Sequence, residues 1–144
     1  MVYNLFLDSD VLLDIILERK PFIEQSLELF FYRADEAVQM FTSSSIIINI
    51  QYIGEKEVGR MTTNTGMKKL LKYLEITNPN KDSILKAYNS SFSDIENAIQ
   101  YFTALQEEDF DYFITRNTRD YLKHVGNLPV ITPTQFLKIF KQNS

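Results

Sequence analysis

Val2-Tyr3-Asn4-Leu5-Phe6-Leu7-Asp8-Ser9-Asp10-Val11-Leu12-Leu13-Asp14 is the stretch that decides the fold. Its first half, Val2 to Leu7, is short and mostly apolar, which predicts a buried strand. Asp8-Ser9-Asp10 then offers three good helix N-cap residues. Val11, Leu12, Ile15 and Ile16 recur at helical spacing immediately afterwards. A buried strand running straight into a capped helix is the repeating unit of α/β proteins with parallel sheets.

The same alternation continues outward from that unit. Pro21 stops or offsets the first helix. A second helix is expected from about Phe22 to Glu36, with Phe22, Ser26, Leu29, Phe30 and Arg33 along one flank. Val38 to Thr42 reads as a strand. Ser43 to Ile53 is ambiguous by pattern: Ile46, Ile47, Ile48 and Ile50 favour a strand, while Asn49, Tyr52, Ile53 and Lys56 fall at helical spacing. Thr62 to Gly66 reads as a polar break. Met67, Leu70, Leu71 and Leu74 predict an amphipathic helix with Lys68, Lys69 and Lys72 on its wet side. Tyr73 to Thr77 is a strand candidate, Asn78-Pro79-Asn80 a turn, and Lys81 to Tyr88 a short helix. Ser93-Asp94-Ile95-Glu96 reads as a capping box, with Ser93 at the N-cap and Glu96 at N3. Ile95, Ala98, Ile99, Phe102 and Leu105 are the expected core face of the helix that follows. Tyr112 to Thr115 predicts a buried strand, Asn117 or Thr118 the cap of a short helix through Lys123, and Val130-Ile131 a last strand. Thr132-Pro133 opens the final helix, with Pro at N1, and Phe136, Leu137 and Phe140 pack it down. The expected class is α/β with a mainly parallel central sheet, in one domain over residues 1–144.

Composition narrows what such a domain can do. The chain has 144 residues, 44% apolar and 24% charged, enough for one packed core. It has no Cys, which excludes disulfides, a Cys-based zinc site and a thiol nucleophile. Its single His excludes a His-rich metal site and makes any His-based triad depend on His124, which reads as a surface or supporting residue. With 15 Lys and Arg against 19 Asp and Glu the net charge is −4, so nucleic-acid binding would need a local basic patch or a metal. No segment reads as a targeting peptide or a membrane span. A cytoplasmic protein without membrane contact is therefore expected.

In an open parallel sheet, chemistry gathers at the carboxyl ends of strands. Two predicted strand ends are unusually polar: Asp8-Ser9-Asp10, and Thr115-Arg116-Asn117-Thr118-Arg119-Asp120. Asp94-Ile95-Glu96-Asn97 is a third polar cluster at a helix start. If the three meet, Asp8, Asp94 and Asp120 form an all-oxygen site of the kind that selects Mg²⁺ or Mn²⁺. Such a site can hold a phosphodiester and activate water. Simpler roles compete: Asp8 or Asp10 as a helix cap, Asp94 as a dipole partner, Glu96 as half of a capping box, and Asp120 paired with Arg116 or Lys123. Lys56, Arg60, Lys68, Lys69 and Lys72 form the densest basic stretch, which reads first as a solvated helix face. Arg116 is better placed for a phosphate.

Four segments resemble the PIN-domain family. Phe6-Leu7-Asp8-Ser9-Asp10-Val11-Leu12-Leu13-Asp14 is similar to its opening strand–helix motif. Asp94-Ile95-Glu96-Asn97-Ala98-Ile99-Gln100-Tyr101-Phe102-Thr103-Ala104-Leu105 is similar to its central helix. Phe110-Asp111-Tyr112-Phe113-Ile114-Thr115-Arg116-Asn117-Thr118-Arg119-Asp120-Tyr121 is similar to its fourth-strand motif, and Pro129-Val130-Ile131-Thr132-Pro133 with Phe136-Leu137 to its ending. Order and spacing hold from residue 2 to about residue 138. Ser43 to Tyr52 fits the third helix of bacterial members, which favours helix there.

The resemblance implies a three-layer, Rossmann-like fold and a Mg²⁺- or Mn²⁺-dependent endoribonuclease of the type II toxin–antitoxin kind. It implies RNA as substrate, a cognate antitoxin and a homodimer as partners. By it, Asp8 and Asp120 match acidic catalytic positions, and Asp94 matches an acidic position one helical turn from Asn97. Asn117 matches a polar residue that orients the site, and Ser9, Thr115 and Arg116 support it. Two positions depart from the pattern. Asn49 stands where many members carry Glu, and Asn97 where most carry a metal-binding Asp. An amide oxygen is neutral and cannot act as a base, so weaker metal binding is expected. The alternative is a domain that has lost catalysis and binds RNA or protein.

Overall fold

The computed structural model describes residues 1–107, 109–121 and 127–143. The opening stretch folds as expected: β1 (Tyr3–Leu7) runs into α1 (Ser9–Ile16). Then come α2 (Phe22–Ala34), β2 (Val38–Thr42), α3 (Ser44–Glu57), α4 (Arg60–Leu71), β3 (Leu74–Ile76), α5 (Lys81–Tyr88) and α6 (Ile95–Leu105). The chain ends with β4 (Tyr112–Ile114), a 3-10 turn (Thr118–Asp120), β5 (Val130–Ile131) and α7 (Pro133–Gln142). The five strands lie in the order β3-β2-β1-β4-β5 and every pairing is parallel. The chain moves outward from β1 through β2 to β3, then returns to the other side of β1 for β4 and β5. The strand order thus reverses between β1 and β4, and the carboxyl ends flanking such a reversal border a natural crevice. The register pairs Leu7 with Ile114, and the Asp8 N–H donates to the Ile114 carbonyl at 3.0 Å. Asp8 and Thr115 are thereby held side by side at that edge.

Buried strands explain the continuous apolar runs. Leu5, Phe6 and Leu7 of β1 and Phe113 and Ile114 of β4 are fully buried. Phe6 stacks on Phe113 at 5.4 Å between ring centres, and Phe113 meets Tyr121 at 4.9 Å. Tyr121 is fully buried, which seats the turn after Asp120 on the core.

The ambiguous third segment is a helix. The Ser43 hydroxyl caps it by accepting from the Ile46 N–H, and Ile46 and Ile50, one turn apart, face the core. Packing overrides the strand preference of the isoleucines. The expected polar break at Thr62–Gly66 is instead the middle of α4. The break falls earlier, at Gly59, whose φ of +89° suits glycine. Thr63 is buried and returns its hydroxyl to the Gly59 carbonyl at 2.8 Å. A Cβ on Gly54 of α3 would lie 2.5 Å from the Thr63 Oγ1, so small residues here mark a close helix contact rather than a loop. Leu74 belongs to β3, and Leu71 is largely exposed.

Helix α6 also departs from expectation. Asp94, not Ser93, is its N-cap, and the Asp94 Oδ1 accepts from the Asn97 N–H at 3.0 Å. Its buried face is Ala98, Gln100, Tyr101, Thr103 and Ala104, while Ile95 is 38% exposed. The helix is rotated because Tyr101 buries its ring and places its hydroxyl on the Leu128 carbonyl at 2.9 Å. Phe102 and Leu105 turn instead toward α5. The final helix starts as expected, with a Thr132–Gln135 capping box and Pro133 at N1. Lys123, His124 and the end of the short helix expected there lie outside the described residues.

Candidate active site

A cleft of about 150 Å³ opens at the carboxyl end of β1. It is lined by Asp8, Ser9, Ser45, Ile46, Asn49, Glu96, Asn97, Ile99 and Gln100. Three elements build it: the β1–α1 junction, the first turns of α3, and the first turns of α6. Four of the sequence-predicted residues, Asp8, Ser9, Asn49 and Asn97, meet in it directly.

Asp8 is the most constrained of them. It is only 8% exposed and caps α1, its Oδ1 accepting from the Ser9 N–H at 2.8 Å. Its Oδ2 accepts from the Thr115 hydroxyl at 3.0 Å and from the Tyr121 hydroxyl at 3.1 Å. A carboxylate offers roughly four lone-pair sites. These three donors leave one on Oδ1 for a cation. Burial and the neighbouring Asp10 push the Asp8 carboxyl up to about 6, against the opposing pull of the Ser9, Thr115 and Tyr121 hydrogen bonds. Burial also raises Asp10, while the backbone N–H and the charge of Arg116 hold it down. The Thr115 Oγ1 lies 3.0 Å from Asp8 and 3.2 Å from Asp10. It carries one proton, so it serves only one of the two carboxylates at a time.

Asp120 joins the cleft through Asn97. The side-chain amide of Asn97 donates to the Asp120 Oδ2 at 3.4 Å, and the Asn117 amide donates to the same oxygen. A carboxylate accepts only, so this contact turns the Asn97 NH₂ toward Asp120 and leaves its carbonyl oxygen as a free acceptor. An Asp at 97 would face Asp120 as a like charge; the amide makes a hydrogen bond there instead. Asp94 is placed differently from expectation. It does not line the cleft, and its Oδ1 is engaged in capping α6 under Asn97.

Arg116 is also placed differently. Its Nε and Nη2 donate to the two oxygens of Asp14 at 2.6 and 3.0 Å. The guanidinium lies over the Phe22 ring, 3.8 Å from its centre, in a hollow shared with Thr132 and Pro133. Its charge is directed at Asp14, away from the cleft, and only its backbone N–H reaches the site, donating to the Asp10 Oδ2 at 2.9 Å.

Sequence reasoning passed over Asp14, Ser45 and Gln100, and read Asp10 and Glu96 only as caps. The Ser43 hydroxyl donates to the Gln100 carbonyl oxygen at 2.7 Å, and the Gln100 NH₂ donates to the Ser45 hydroxyl at 2.6 Å, tying α3 to α6 across the cleft. The available signal was spacing: Gln100 follows Glu96 by one helical turn, so both share a face.

Among the described residues the lining carries two carboxylates, at Asp8 and Glu96, three amides, at Asn49, Asn97 and Gln100, and no Lys, Arg or His. Hard oxygen donors with no competing positive charge fit Mg²⁺ or Mn²⁺ better than a soft metal. Among the described residues no three His, Cys, Asp or Glu side chains come together as a metal cluster, so the donor set is mixed rather than all-acidic.

A parallel sheet with a carboxylate at the reversal of strand order defines a Rossmann-like α/β domain with a polar crevice. Within that class, a model of the PIN domain matches residues 4–119, and the chain belongs to the PIN-domain family. No curated protein matches it. Solved structures share its fold at low identity. VapBC2 from Rickettsia felis, bound to a promoter DNA fragment, aligns with a TM-score of 0.68 at 14% identity, over 92% of this chain and 98% of that one. Mycobacterium tuberculosis VapC20, a Sarcin-Ricin loop cleaving toxin, gives 0.65 at 8% identity, over 86% and 98%. A toxin–antitoxin complex from Klebsiella pneumoniae gives 0.65 at 20%, over 89% and 96%.

Proposed function

We propose that this PIN domain is a metal-dependent endoribonuclease and the toxin of a type II toxin–antitoxin pair. One observation carries the reading: Asp8, at the end of the central strand, faces a cleft lined by oxygen donors with no positive side chain among the described residues. Asp8 would hold Mg²⁺ or Mn²⁺ together with the carbonyl oxygens of Asn97 and Asn49, and Asp120 would stand beside them. Such an ion, when bound, supplies Lewis-acid polarisation of a phosphodiester and a more acidic water. Thr115 and Tyr121 fix the Asp8 carboxylate. Asn117 and Asn97 hold Asp120, and Asp94 fixes the first turn of α6 that carries Asn97. Ser9 holds the other Asp8 oxygen through its backbone N–H.

Partner assignments follow from the solved relatives, two of which are described as VapBC2 or a toxin–antitoxin complex. Ile48 and Tyr52 stand one turn apart on α3, 69% and 63% exposed, and offer apolar surface to an antitoxin or a second copy. Among the described residues no helix is long and apolar enough to cross a membrane.

The test is cleavage of single-stranded RNA in Mn²⁺ by the wild type and by Asp8→Ala. The reading expects cleavage by the wild type alone; equal cleavage by both would reject it. A second reading, a domain that has lost catalysis and binds RNA or protein, is favoured by the amides at 49 and 97. It expects an inert parent and a gain of cleavage in Asn97→Asp.

A further inference from the structure

We infer that Glu96 supplies the acidic cation ligand that position 97 lacks, so that the second carboxylate of the site comes from the preceding residue of α6. The inference rests on the metal-dependent reading above and concerns one residue that reading does not use.

Three observations carry it. First, Glu96 is released from the task its sequence context suggested. Asp94 caps α6, the N3 position is Asn97, and among the described residues no hydrogen bond or ion pair engages the Glu96 carboxylate. Second, Glu96 lines the cleft with Asp8, Asn49 and Asn97. A carboxylate near a helix N-terminus is favoured by the dipole wherever its side chain points. The dipole does not account for its facing the cleft that holds Asp8. Third, the other acids around α6 are engaged. Asp94 is bound to the Asn97 N–H, and one oxygen of Asp120 takes both the Asn97 and the Asn117 amides. Among the described residues Asp8 and Glu96 are the two carboxylates of the lining, and nothing basic there offsets them. Two like charges facing one cleft repel until a cation enters, and that repulsion is relieved on binding.

The experiment measures Mn²⁺ binding by electron paramagnetic resonance at pH 8, with thermal stabilisation by Mn²⁺ as a second readout, on the full chain. Five proteins are compared: wild type, Glu96→Gln, Asp8→Asn, the double variant Glu96→Gln/Asn97→Asp, and Glu75→Gln. The last removes an equal charge from exposed β3. Glu96 is exposed, so its replacement leaves the fold intact, which circular dichroism checks. We expect Glu96→Gln to weaken Mn²⁺ on the order of tenfold or more, Glu75→Gln to bind as wild type, and the double variant to regain the loss. A purely dipolar role for Glu96 would lower metal-free thermal stability and leave Mn²⁺ affinity unchanged. If wild type binds, Asp8→Asn fails to bind and Glu96→Gln is unchanged, the inference is overturned while the cleft stands as a cation site. If wild type shows no Mn²⁺ binding, or Asp8→Asn binds equally, the reading of the cleft itself fails and takes this inference with it. Equal weakening by Glu75→Gln reduces the effect to overall charge and also overturns it.

Discussion

Asp8 and Asp14 sit at opposite ends of α1, and both are removed from solvent, yet they are treated in opposite ways. Asp14 is fully buried and carries two guanidinium partners, Arg116 in bidentate contact and Arg19 at 3.6 Å. Asp8 is almost as buried and has no cationic partner among the described residues; its neighbour is another acid, Asp10, and its hydrogen-bond donors are neutral. Burying a charge is costly unless it is paired. One end of the helix meets that requirement within the chain and so serves stability. The other leaves it unmet at the mouth of a cleft, where a cation from solution would meet it. Perturbed carboxyls of this second kind concentrate at functional sites.

The comparison breaks most readily at Arg116. Replacing it with Ala leaves Arg19, at 3.6 Å, as the guanidinium partner of Asp14 and should lower the unfolding free energy by about 2–3 kcal/mol in urea titrations. Arg116→Lys keeps the charge, loses the fork geometry, and should cost less. A loss under about 1 kcal/mol for Arg116→Ala would place Asp14 among ordinary surface acids.

Asp8 should behave in the reverse sense. Its carboxyl stands near 6 in the folded chain against 3.8 unfolded, so the native state binds that proton more tightly. The resulting stabilisation is fully present below about pH 4 and is lost as pH rises through about 6. Without metal, Asp8→Asn should therefore be more stable than wild type at pH 8, by about 1–3 kcal/mol, with the gain vanishing below about pH 4. Thermal melts in chelator across that range check this. A destabilised Asp8→Asn at pH 8 would show that Asp8 is a structural cap like any other.

The smallest effect is expected at the boundary between the two regimes. Asn97→Asp converts an amide-to-carboxylate hydrogen bond with Asp120 into a like-charge contact. It should lower metal-free stability by about 1 kcal/mol at pH 8, and millimolar Mn²⁺ should restore it. Melting temperatures with and without the ion measure both.

The contrast between Asp8 and Asp14 was only half legible in the sequence. The strand–helix junction announced Asp8 because a polar triplet directly follows a buried strand, and local pattern reports such junctions well. Asp14 sits inside an apolar helix, and its partner Arg116 is distant in the chain; nothing local says which of the nearby acids that guanidinium will choose. Spacing alone set Arg116 toward a phosphate, and only the packing of α2 and the Phe22 ring turns it the other way. The same limit explains α6. Ser93 and Asp94 are both good caps, and the choice between them shifts the residue at N3 from Glu96 to Asn97. That one-residue shift decides whether Glu96 is occupied or free. Likewise Thr62–Gly66 reads as polar in isolation, whereas Gly54 and Thr63 show that small residues there let α3 and α4 approach closely. The alternation of strands and helices, by contrast, was readable over most of the chain, Ser43 to Ile53 excepted, because fully buried parallel strands leave continuous apolar runs.

The most direct test of the unpaired-acid account is diffraction. Crystals of the wild-type chain soaked in Mn²⁺ at pH 8, with data collected for manganese anomalous scattering, should show a peak within the cleft bounded by Asp8, Asn49, Glu96 and Asn97, and none beside Asp14. An empty cleft in Mn²⁺-saturated crystals, or a peak only at surface acids, would contradict it.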